Sequence, residues 1–116
     1  MAEPKALVGN AADPEQVKRA GERELSNRER ELNDLAFVLT HRQGRRVIWR
    51  QLTEAGVFKS SFHTSASVVY FNEGRRDLGL RLLADVMETD ATAYHLMASE
   101  AKADESKREP TPKTKE

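Results

Sequence analysis

The chain has 116 residues, no net charge at pH 7, 38% apolar and 33% charged residues, and no cysteine. That length admits one domain, and a mean hydropathy of −0.71 leaves it a modest core. Disulfides are excluded, no apolar run approaches the roughly 20 residues of a membrane helix, and the opening Met1–Gly9 stretch is too short and too acidic for a signal peptide.

The zero sum hides an uneven distribution. Residues 1–34 carry six Lys/Arg against eight Asp/Glu, whereas residues 42–81 carry eight against three. Positive charge is therefore concentrated where the apolar residues are, and local charge sets the field that a partner meets.

Residues 1–12, with Pro4, Gly9, Asn10 and several alanines, show no periodicity and read as a flexible leader. Asp13-Pro14-Glu15 predicts a helix start: the Asp carboxylate accepts orphan amide bonds, and Pro is tolerated at the first helical position. A polar helix follows to about Arg42, with residues 13–34 as an extension and Gly21 and Ser26-Asn27 as points of fraying or division. Leu25, Leu32 and Leu39 fall seven apart, a seam too short to establish a coiled coil. His41-Arg42-Gln43-Gly44 predicts a break, with Gly44 able to take the left-handed conformation.

A second helix is predicted from Arg45 to Ala55, with Val47, Ile48, Gln51, Leu52 and Ala55 at helical spacing and Trp49 beside that stripe. Gly56 stops it. Val57 to Thr64 reads as an ordered connector whose Val57, Phe58 and Phe62 plug the core. A helix restarts at Ser65 or Ser67 and runs through Val68–Phe71 and Leu78–Met87. Gly74 and Gly79 inside it each cost about 1 kcal/mol relative to Ala, which suggests close helix approach or a kink. Thr89-Asp90 opens a final helix with Tyr94, Leu96, Met97 and Ala101 on its apolar side. After Ala103 the composition is that of a disordered tail, residues 104–116. The fold class is all-α, with a compact domain over residues 35–103 and a core drawn from Leu39, Ile48, Trp49, Leu52, Phe58, Phe62, Phe71 and Leu82.

The sequence presents no catalytic constellation. His41, His63 and His95 have no second ligand at a metal spacing. The serines and threonines from Ser60 to Ser67 fit caps and turns better than a nucleophile. No glycine loop suits a phosphate, so no metal, cofactor or enzymatic activity is expected. The arginines hold the remaining chemistry. Arg45, Arg46 and Arg50 on one helix and Arg75 and Arg76 on another form a candidate interaction surface. They either neutralise an anionic partner or pair internally with Glu54, Glu73, Asp77 and Asp85, because the guanidinium fork suits both. A helix-turn-helix fits poorly, since residues 57–65 are too long for its turn.

Gly44-Arg45-Arg46-Val47-Ile48-Trp49, then Leu52-x-x-Ala55-Gly56-Val57-Phe58-x-x-Ser61-Phe62, then Phe71-Asn72-Glu73-Gly74-Arg75-Arg76 and Tyr94-x-Leu96-Met97-x-x-Glu100 form an ordered string. Over roughly Leu35 to Glu100 it resembles a family of small helical proteins of tailed bacteriophages and prophages, named after a gene product of a Bordetella podovirus. The resemblance implies an all-helical fold and genes among the head and packaging genes, hence a context rather than an activity. The resulting expectation is a non-enzymatic phage protein, in the virion or the host cytoplasm, acting in virion structure or morphogenesis. Its partners are other virion proteins or a second copy. A nucleic-acid-binding accessory and a host-directed early protein are the alternatives, and no membrane partner is expected.

Overall fold

A computed structural model describes residues 13–108. They form three helices, α1 (Pro14–Leu39), α2 (Arg42–Glu54) and α3 (Ala66–Arg108), and no strand is found among the described residues. The chain divides into two compact units, Met1–Asn33 and Asp34–Glu116. The leader expected over residues 1–12 and the tail over 109–116 lie outside the described residues.

The first unit contributes the polar part of α1. Asp13 Oδ1 accepts the Glu15 amide at 3.0 Å, and Pro14 takes the first helical position, as the local sequence dictates. The helix runs unbroken through Gly21 and Ser26-Asn27, so the expected division does not occur. Side chains one turn apart tie the surface, as in Arg28–Glu31 at 3.3 Å. Val17 and Leu25 are exposed.

The second unit holds the core. Among the described residues Leu39, Leu52, Val57, Val86, Ala93 and Met97 are the buried apolar side chains, with Leu35, Ile48, Trp49 and Tyr94 packed half-buried around them. Of the residues expected inside, Leu39 and Leu52 are buried, and Ile48, Trp49 and Leu82 are half-buried. Phe58, Phe62 and Phe71 are not core residues: they are 45%, 78% and 65% exposed. In the connector only Val57 faces inward, while Phe58 stacks on Trp49 with ring centroids 4.9 Å apart. Phe62 remains outside, next to Ser61, whose hydroxyl binds Glu73 and whose carbonyl accepts from Asn72.

The break between α1 and α2 is shorter than expected, and Gly44 lies inside α2 without a positive φ. Its small size is required instead by packing, because a Cβ there would collide with the carbonyl of Val38. Gly56, at φ +80°, is the residue that turns left-handed and ends α2. Gly79 likewise serves close approach, since a Cβ would stand 2.5 Å from Ala55 Cβ and 2.6 Å from Val57 Cγ2, whereas a Cβ at Gly74 would meet nothing.

Helix α3 is two limbs joined at Asp90, whose φ of −167° and ψ of 97° leave the helical region. The Asp90 carboxylate accepts the Thr92 amide at 3.0 Å and so caps the second limb. That limb continues to Arg108, so residues 104–108 are helical rather than part of a tail. Asp104 is held there by Arg42 at 2.9 Å, an anchor that composition alone conceals.

Candidate functional site

The N-terminal turns of α2 face the second limb of α3, and an ion network joins them. Arg45 uses its whole fork. Nε and Nη2 donate to the two Glu100 oxygens at 3.0 and 2.7 Å, and Nη1 donates to the Leu39 carbonyl at 2.9 Å. One of the last carbonyls of α1, which have no partner within their own helix, thereby gains one. Only 13% of the Arg45 side chain and 16% of the Glu100 side chain meet solvent, so the charges are poorly screened. Hydrogen bonds from Arg45 hold the Glu100 carboxyl below its ordinary value despite partial desolvation, and the charges of Arg45 and Arg42 act in the same direction. The same hydrogen bonds raise the Arg45 guanidinium.

One turn further along α3, Asp104 takes Arg42 at 2.9 Å and Arg46 more loosely at 3.8 Å. Beyond this network lies an open groove of about 600 Å³ between α2 and the second limb. It is lined by Trp49, Ala98 and Ala101, by the cations Arg46, Arg50, Lys102 and Arg108, and by the carboxylates Glu54, Asp104 and Glu105. Arg50, Lys102 and Arg108 form no ion pair among the described residues. An apolar indole beside unpaired cations suits an amphipathic segment that carries acidic groups.

The five arginines expected to act together are thus divided. Arg45 is taken up by the fold, and Arg46 and Arg50 line the groove, which neither Arg75 nor Arg76 lines. Arg75 donates to Asn72 and lies over the Phe71 ring at 5.3 Å, and Arg76 is half-buried with Nε unpartnered. The internal partners also differ from the expected ones. Glu100 and Asp104 receive the α2 arginines, and among the expected acids Asp77 forms an arginine pair, with Arg81 at 2.8 Å. The signal for this is spacing: Ala93, Met97, Glu100 and Asp104 recur at three and four residues, which sets both carboxylates on the buried face.

The histidines serve local structure. His41 Nδ1 lies 3.2 Å from the Phe37 carbonyl, and His63 Nδ1 accepts the Ser65 amide at 2.9 Å. Among the described residues no group of three His, Cys, Asp or Glu is placed to hold a metal ion, and no helix is long and apolar enough to cross a membrane.

The sequence profile of the Bbp19-like phage proteins matches residues 35–99, more than half of the chain. The chain belongs to this family. No curated protein and no solved structure gives a significant match. The region shared with the Bbp19-like phage proteins takes in the end of α1, all of α2, the connector and α3 as far as Ser99. Glu100, Lys102, Asp104 and Arg108 follow after it, so the carboxylates of the ion network and half of the cationic lining lie just past the matched stretch.

Proposed function

We propose that this Bbp19-like phage protein is non-enzymatic and acts in virion structure or morphogenesis through protein–protein contacts, with the groove between α2 and the second limb as its main contact surface. The supporting observation is the groove itself. Trp49 lies beside Arg50, Lys102 and Arg108, three cations that form no ion pair among the described residues. Aromatic and arginine side chains of this kind commonly anchor interfaces. The fitting partner is an amphipathic segment of another phage protein, with aliphatic residues over Trp49 and acidic residues towards the cations.

Binding to phage DNA is the second reading, favoured by the same cations. Glu54, Asp104 and Glu105 line the same groove and weaken it, because carboxylates repel a phosphate backbone. Mass spectrometry of gradient-purified virions, with copy number referred to the major capsid protein, tests the virion assignment. A fixed copy number that falls when Arg50 and Lys102 are changed to Glu supports it. Absence from particles, or a salt-dependent shift of duplex DNA abolished by the same changes, overturns it in favour of a host-directed or nucleic-acid role.

A further inference from the structure

A second surface lies on the first limb of α3, away from the groove residues, and does not depend on the virion reading. Phe71, Gly74, Leu78 and Leu82 follow at helical spacing and form one stripe. Phe71 and Leu78 are 65% and 66% exposed, and Tyr70 beside them is 75% exposed. The face that adjoins the stripe on the Leu82 side is already occupied, with Gly79 against Ala55 and Val57 and with Val86 fully buried. Gly74 adds a second observation. A Cβ there would touch nothing, so no contact within the chain requires the glycine, although glycine costs a helix about 1 kcal/mol. What it leaves between Phe71 and Leu78 is a notch into which another chain can come close.

We infer that this stripe is a self-association surface on which a second copy packs its own first limb, antiparallel, across a two-fold axis. The charges select that occupant. Asp77 and Arg81 flank the stripe, paired with each other at 2.8 Å and both more than 60% exposed. When Leu78 lies beside Leu82 of the second copy, the antiparallel run brings Asp77 within a turn of the other Arg81, and Arg81 within a turn of the other Asp77. Over residues 66–89 the limb carries three arginines against four carboxylates, a near balance that offers little to a polyanion and no penalty to self-pairing. In that register residues 71–89 of the two copies overlap over about 28 Å at 1.5 Å per residue, enough for a contact of several hundred Å² per partner.

Sedimentation equilibrium on the full chain, up to ~100 μM, tests this; a micromolar Kd would leave nearly all of it dimeric there. Leu78→Arg is expected to weaken dimerisation roughly 100-fold while leaving the circular dichroism of the dilute protein unchanged, because Leu78 is exposed in the single chain. Arg81→Asp is expected to weaken it about 10-fold, and adding Asp77→Arg to restore it. The chain has no cysteine, so a mixture of Leu78→Cys and Leu82→Cys proteins reports register directly: the mixed disulfide dominates over either symmetric one. A wild-type monomer throughout, a dimer indifferent to Leu78→Arg, or preferred cross-linking of Leu78→Cys to itself overturns the inference.

Discussion

Residues 66–89 and 91–108 belong to one helical element, and both carry apolar residues at helical spacing. The second limb turns its stripe inward: Ala93 and Met97 are buried, and Glu100 and Asp104 clasp α2 at the next turns. The first limb buries Gly79 and Val86 but leaves Phe71, Leu78 and Tyr70 in solvent. The difference follows from the length of the covering helix. α2 has 13 residues and α3 has 43, so α2 reaches from Asp104 back to Gly79, where Ala55 packs, and leaves the start of the first limb uncovered. The fold places its ion network on the second limb and leaves the first with exposed apolar surface. A hydrophobic stripe alone therefore does not say what it packs against.

The contrast can be broken most severely at the glycines. Gly44→Ala forces a methyl into the Val38 carbonyl and is expected to destabilise by about 3 kcal/mol or more in denaturant unfolding. Leu52→Ala, at a side chain with no exposure, is expected to cost about 3 kcal/mol with an unchanged m-value. Glu100→Gln leaves Arg45 without its charge partner in a site largely closed to solvent, for a loss of about 1–3 kcal/mol.

The same carboxylate gives a pH signature. Its folded pKa lies below the ordinary 4.5. Below that ordinary value the unfolded chain takes up the proton first, so the stabilisation is fully present above about pH 4.5 and is lost as pH falls through the folded value. Unfolding followed from pH 6 downward should show this slope in the wild type and a shallower one in Glu100→Gln. The smallest effect has the opposite sign. Gly74→Ala meets open space and is expected to stabilise the dilute protein by about 0.5–1 kcal/mol in thermal unfolding.

Much of the fold is legible in the sequence because its punctuation is local. The Asp13 cap, the Gly56 stop, the restart after Ser65 and the Asp90 junction each depend on neighbouring residues. The misreadings concern contacts between residues on different elements. By its neighbours Gly44 resembles a turn glycine, but its need is set by Val38 across a helix junction. Phe58, Phe62 and Phe71 suit an interior because they are large and apolar, yet burial depends on whether an element lies opposite, which composition does not specify. The arginines stand out in the sequence as the important chemistry. Their division between fold and groove depends on carboxylates 55 and 62 positions away.

Hydrogen exchange followed peptide by peptide, at low and high protein concentration, tests the division of α3 most directly. Protection over residues 93–104 is expected to be strong and independent of concentration, since it arises within the chain, while protection over residues 70–82 is expected to rise with concentration as a second copy covers the exposed stripe. Equal, concentration-independent protection along both limbs would contradict the account.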